Sequence, residues 1–294
     1  LWCAECGWSA PCPRCSSRLV VHLRVRQARC HLCGWQQSIP RVCPDCGNQA
    51  LRTAGEGTQK LEDLLRQQFP QARLLRVDAD TMAGKGQFAE LRTTMLEGGA
   101  DILVGTQMLS KGHDFPGLTC VVAVNADGAL FSADFRASER LFAQLLQVAG
   151  RAGRAERPGQ VLVQTAQPGH ALFQALVRHD YSGFARSLLE ERRICGFPPE
   201  VHQAMLHASG PAPAPVEAFL AQACKLLPVP AGVEMYDPVP APLARVAHKY
   251  RYQLLVQAAQ RADLQRFLGA WIAALRELPA GQLQWVLDVD PLEV

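Results

Sequence analysis

At 294 residues the chain has room for two or three domains, and 48% hydrophobic content is ordinary for a globular protein. No apolar run is long enough to span a bilayer, and the first residues lack the basic-then-apolar order of a signal peptide. The net charge of +3 alone excludes little, but residues 1–50 carry six arginines against Glu5 and Asp45, a local +4. Such a basic module suits nucleic acid, although a solvated surface would have the same composition. The sequence begins without Met inside Cys-rich sequence, so it is expected to be the C-terminal part of something longer.

Eight of the eleven cysteines lie in the first 46 residues, as Cys3/Cys6, Cys12/Cys15, Cys30/Cys33 and Cys43/Cys46. A C-x-x-C turn lets two thiolates reach one ion at about 2.3 Å, and two such turns complete a tetrahedron. Gly7, Gly34 and Gly47 follow the second Cys of three turns, where a left-handed residue is needed. Four turns therefore predict two zinc ions per chain. A disulfide framework would need an oxidising compartment. Pairing the first two turns leaves only five residues to fold back, whereas the inner two are fourteen residues apart, close to ribbon spacing. That favours a nested scheme with Cys12, Cys15, Cys30 and Cys33 inside and Cys3, Cys6, Cys43 and Cys46 outside. A cross-braced scheme is the alternative. With all four positions filled, the metal would be structural in either case. Cys120, Cys195 and Cys224 sit singly among apolar residues and are expected to be packed thiols.

Beyond the last cysteine turn, strand-like runs at 72–80, 101–106, 120–127 and 160–165 alternate with helical patterns at 58–69, 87–97 and 137–149. This predicts βαβ units and a parallel sheet, with ligands at the carboxyl ends of its strands. There, Thr106, Gly112 and Asp114 have the T-x₅-G-x-D spacing of helicase motif V. A hydroxyl and exposed amides at a strand-to-helix turn suit a phosphate. Gln147, Gly150, Arg151, Gly153 and Arg154 fit Q-x-x-G-R-x-G-R, in which small residues keep a turn compact and let two guanidiniums project together. A helix that ends in Gly with basic residues on its last carbonyls is the plainer reading.

From about Phe197, prolines cluster and mark a boundary and rigid connections. Runs at 201–209, 249–257 and 283–290 read as strands, and 215–227 and 261–277 as helices, which predicts a small α+β domain. Lys249, Tyr250, Arg251 and Tyr252 alternate basic with aromatic, so one strand face would be cationic and the other stacking. An edge strand with protective charges would look the same.

The order of four C-x-x-C turns, "GEGTQKLEDLL", "ILVGTQMLSKGHDFP", "DGALFSADFRASER", "QVAGRAGR" and "WVLDVDP" resembles the C-terminal portion of the PriA family (bacterial primosomal protein N′). These are superfamily 2 DNA helicases of replication restart, and the similarity covers essentially the whole chain. The resemblance implies an α/β fold: a RecA-like helicase lobe 2 over 51–196, a two-zinc module over 1–50 and a C-terminal α+β domain over 197–294. It also implies nested zinc sites, Arg154 as the arginine finger, and Gln147 and Arg151 beside the γ-phosphate. Thr106, Gly112 and Asp114 would couple DNA to ATP.

A P-loop and an acidic Mg²⁺ motif belong to lobe 1 of such a motor. This sequence has no G-x-x-x-x-G-K-[ST] and no Asp-Glu dipeptide. ATP and Mg²⁺ would then be shared with a lobe that this sequence does not contain, and the chain alone is expected to be inactive. The implied partners are forked and single-stranded DNA, single-stranded-DNA-binding protein and other primosome proteins, in the bacterial cytoplasm and with no membrane. The alternative is a non-catalytic restart scaffold whose ATPase lobe is lost.

Overall fold

The computed structural model describes residues 1–22, 26–52, 58–77, 87–106, 117–130, 132, 134–153 and 158–292. They form two compact units, one of residues 1–54 with 192–294 and the other of residues 55–191.

In the Cys-rich segment the strands are only two or three residues long. β1 (Trp2–Cys3) pairs antiparallel with β5 (Leu51–Arg52), which brings the ends of the segment together. Between them β2 (Val20–His22), β3 (Gln27–Arg29) and β4 (Gln36–Ser38) form an antiparallel sheet. Its core is small: Ala10, Leu19 and Ala28 with Cys12, Cys15 and Cys30. Fifty residues of this kind bury too little apolar surface to hold a fold without a further tie.

The 55–191 unit follows the βα alternation. α1 (Thr58–Gln68), β6 (Leu74–Val77), α2 (Gln87–Leu96) and β7 (Ile102–Gly105) come first, and β6 and β7 pair in parallel. β8 (Cys120–Ala123), α3 (Ala137–Ala149) and β9 (Gln160–Val163) follow, with β8 and β9 parallel. Two helices that periodicity did not single out, α4 (Ala171–Val177) and α5 (Tyr181–Cys195), come last. The apolar stripe of α3, Leu141, Phe142 and Leu145, packs on Leu172, Phe173 and Leu176 of α4 and Phe184 of α5. The Phe142 and Phe184 rings stack 4.5 Å apart. Buried Glu62 ties α1 to β6 by accepting from Arg66 Nη2 at 2.7 Å and lying 3.4 Å from Arg76 Nη1.

The C-terminal residues make a two-layer α+β sandwich. β10 (His202–Gly210), β11 (Val233–Met235), β13 (Lys249–Ala258) and β14 (Gln284–Val289) run antiparallel in the order β11-β13-β10-β14, and β12 (Val239–Val246) also pairs with β13. α6 (Pro213–Ala223) and α7 (Arg261–Glu277) cover one face. Trp271 is fully buried at the centre, and its Nε1 donates to the Ala223 carbonyl at 2.9 Å. Pro240 and Pro242, expected to mark connections, lie inside β12, where an edge strand tolerates a missing donor.

Cys120 and Cys195 are exposed rather than packed, since Cys120 lies on the open side of β8 and Cys195 at the end of α5. Cys224 is half-buried. Among the described residues, no helix is long and apolar enough to cross a membrane.

Candidate functional site

The cysteine turns gather into two clusters, Cys3, Cys6, Cys43 and Cys46, and Cys12, Cys15, Cys30 and Cys33, with the sulfurs of each within 4.8 Å of one another. No cross-braced grouping occurs among them. Sγ–Sγ separations are 3.7 Å for Cys3–Cys46 and Cys6–Cys43, and 3.6 Å for Cys12–Cys33. A tetrahedron with Zn–S bonds of about 2.3 Å places its sulfurs about 3.8 Å apart, whereas a disulfide needs about 2.05 Å. All eleven cysteines are free. The geometry fits two zinc ions.

The local chemistry agrees. Gly7, Gly34 and Gly47 have φ of 75°, 73° and 73°, the left-handed turn that lets the chain leave each knuckle. Burial pushes the Cys15 thiol up to about 12 against a backbone hydrogen bond from Ala247, and the neighbouring Cys33, Cys30 and Cys12 push the same way. Burial also acts to raise Cys30, but the Ser17 hydroxyl and the N–H groups of Cys33 and Leu32 outweigh it and bring that thiol to about 6. Thiols this close cannot all ionise unless a cation sits among them. The Arg14 guanidinium lies 4.4 Å above the Trp35 ring, so this cation is stacked on the inner knuckles rather than free in solvent.

In the 55–191 unit, Thr106 is exposed directly after the carboxyl end of β7. Gly112, Asp114 and Arg154 lie outside the described residues. Gln147 is exposed on the last turn of α3, and Arg151 follows one turn later, its N–H donating to the Val148 carbonyl at 3.0 Å. Gln147 and Arg151 are thus neighbours along the chain at the end of α3, and Thr106 follows a different strand. The backbone after Arg151 is pinned at Gly153. Its φ is 74°, its N–H donates to the Leu118 carbonyl at 3.0 Å, and a Cβ there would collide with the backbone of Gly159. Glycine at both places is a steric requirement.

Other residues position this unit without having been singled out in the sequence. Asp127, in the turn after β8, accepts from the Thr165 hydroxyl and from the Ala166 N–H at 2.7 Å, which ties the ends of β8 and β9. Asp134 accepts from the Arg136 N–H at 2.8 Å and from the Arg140 guanidinium, and so fixes the start of α3. Both lie in "DGALFSADFRASER", whose alternating polar residues hinted at a hydrogen-bonded turn but not at its partners.

On β13 the tyrosines and the cations lie on opposite faces, but the tyrosines are engaged within the domain. Tyr252 packs against the domain core, and its hydroxyl donates to Glu217 of α6. Tyr250 lies under the Arg245 guanidinium, 5.9 Å from its ring. On the other face Arg251 neighbours His207, and Lys249 Nζ donates to Gln284 Oε1 at 2.7 Å.

Three family models match: a helicase conserved C-terminal domain over 51–156, a PriA DNA helicase Cys-rich region over 12–37, and a primosomal protein N C-terminal domain over 193–292. Replication restart protein PriA of Haemophilus influenzae is 42% identical over 100% of this chain and 40% of its own length. The Synechocystis protein of that name is 38% identical over 99% of the chain and 35% of its own length. For Bacillus subtilis the identity is 35%, over 98% and 36%. The chain therefore spans well under half of these relatives. With the three models in sequence along the chain and these relatives aligned over nearly all of it, the chain belongs to the PriA family of replication restart proteins, whose C-terminal portion it matches.

Proposed function

We propose that the chain supplies the second motor lobe and the DNA- and partner-contacting modules of an ATP-dependent 3′→5′ helicase that binds stalled forks and initiates primosome assembly. The observation that supports this reading is the close approach of Gly153 and Gly159 soon after the α3 helix that bears Gln147, where a Cβ on either glycine would meet the other's backbone. A pinned backbone two residues after Arg151 suits a guanidinium that must be preorganised for transition-state charge. In this reading Arg154 meets the charge that develops on the transferred phosphoryl group, Arg151 and Gln147 orient the γ-phosphate, and Thr106, Gly112 and Asp114 relay DNA contact.

ATP and Mg²⁺ would be held largely by residues outside this sequence, because nothing in it makes a P-loop. Forked and single-stranded DNA, single-stranded-DNA-binding protein and other primosome components are the partners. Lys249 and Arg251 offer the cationic face for DNA. DNA-stimulated ATPase of the complete protein tests the reading, with the 294-residue chain as an inactive reference. Arg154→Ala should lower kcat by roughly 10³-fold or more and leave DNA affinity almost unchanged. Arg154→Lys should rescue little, since an ammonium has no planar fork. Near-normal turnover would remove Arg154 from the active site, and turnover by the chain alone would overturn the division of labour.

A further inference from the structure

All four knuckles share one closing bond, from the N–H of the first Cys to the carbonyl five residues on: Cys3 to Trp8 at 2.7 Å, Cys12 to Ser17 at 2.8 Å, Cys30 to Trp35 at 2.8 Å and Cys43 to Asn48 at 2.7 Å. Three have a second. The left-handed Gly after the second Cys returns its N–H to the first Cys carbonyl, Gly7 to Cys3 at 3.0 Å, Gly34 to Cys30 at 2.9 Å and Gly47 to Cys43 at 2.9 Å. The Cys12–Cys15 knuckle has Ser16 in that place, and Ser16 is not left-handed. Its N–H instead donates to the Arg245 carbonyl at 2.7 Å, at the far end of the sequence but within the same compact unit.

The contact there is extensive. His248 N–H donates to the Arg14 carbonyl at 2.9 Å, and Arg245 Nη2 donates to the Pro13 carbonyl at 2.9 Å. Ala247 N–H donates to Cys15 Sγ at 3.2 Å across 232 residues, and Val246 packs on the cluster that contains Cys12 and Cys15. These residues form the tip of the β12–β13 hairpin, where Val246 pairs with Lys249 and leaves a two-residue turn. Ala247 and His248 both have positive φ, 48° and 66°. A two-residue turn of that kind normally takes Asn-Gly or Asp-Gly, because other residues are strained there. Such strain persists only where the surroundings fix it. Here both turn N–H groups point into the knuckle.

We infer that the Arg245–His248 turn is a working part of the inner metal centre: a clasp that closes the one knuckle without a glycine and hydrogen-bonds the Cys15 sulfur that would hold zinc. An N–H aimed at a metal-bound thiolate is charge-assisted, and such bonds orient the ligand and slow its departure. The coupling is reciprocal: zinc in the inner cluster holds the hairpin tip, and the tip holds the zinc. The outer cluster has self-closed knuckles only, so the two ions differ in how they are retained.

Zinc release from the full chain into excess chromogenic chelator, read as two phases, tests this. Ala247→Pro removes the N–H and forbids positive φ, and should release one of the two ions about 10-fold faster or more while the other keeps its wild-type rate. Ala247→Asn combined with His248→Gly keeps both donors and relieves the strain, and should release both ions no faster than wild type. In the opposite direction, Cys12→Ser should speed hydrogen exchange at Val246–Lys249 and leave the amides of β10 protected. Equal acceleration of both ions in Ala247→Pro, unchanged release, or a hairpin tip indifferent to Cys12→Ser would each overturn the inference. It rests on zinc filling the inner cluster. Metal analysis that finds fewer than two ions per chain would remove that premise, whereas two ions with unaltered release would remove the clasp alone.

Discussion

The Cys-rich module and the C-terminal domain belong to one compact unit, yet they are held together by opposite means. The first has strands of two or three residues and a core in which sulfur replaces hydrocarbon. The second has strands of up to ten residues and buries Leu206, Leu220, Leu254, Leu264, Leu268 and Trp271 completely or nearly so. Where apolar side chains are too few, four thiolates around an ion replace them, and the two halves should fail under different insults.

Metal removal should give the largest effect. Structural zinc supplies about 10–16 kcal/mol in small domains, far more than the module's apolar contacts can. A strong chelator should abolish amide protection across residues 1–52 and leave β10 and the β13 amides beyond the hairpin tip protected. Equal loss in both regions would erase the contrast. Trp271→Ala is the converse experiment. Removing a fully buried indole should cost about 3–5 kcal/mol and lower the urea midpoint of the C-terminal domain, with zinc still at two per chain without competing chelator. A zinc content that falls with the mutation would make the module depend on its neighbour's core.

The smallest effect concerns acid. His207 titrates below its ordinary value because burial, and then the charge of Arg251, disfavour the imidazolium, with Asp288 opposing. Between that lowered value and the ordinary one of about 6.5, the unfolded chain binds a proton that the fold refuses. The stability from neutral His207 is therefore full above about pH 6.5 and declines as pH falls through the window. His207→Gln should flatten that slope in urea midpoints of the C-terminal domain, while zinc loss on acidification, which reflects thiolate protonation, proceeds unchanged. An unaltered slope would place the acid sensitivity elsewhere.

Much of this was legible in the sequence. The βα alternation anticipated β6 to β9 and α1 to α3 within a few residues, because each strand is a short apolar run between polar loops. The spacing of Cys6 to Cys12 against Cys15 to Cys30 pointed to the nested grouping by chain geometry alone. β12 was hidden because Pro240 and Pro242 argue against a strand, and only its place at the sheet edge permits them. The Ala247–His248 turn carried no signal, since neither residue favours positive φ and its partners lie more than 200 residues away. For Asp127 the polar pattern hinted at a turn, but its partners Thr165 and Ala166 lie beyond an intervening helix and could not be read.

Exposed Cys120 and Cys195 offer a practical handle. With eight thiols held by metal and Cys224 half-buried, a maleimide dye added to the zinc-loaded chain should react first at these two. Cys120 lies on β8 of the 55–191 unit, and Cys195 ends α5, the helix that runs from that unit across the division at residue 191. Energy transfer between the dyes on this chain would report whether β8 and the end of α5 keep their separation as DNA is added.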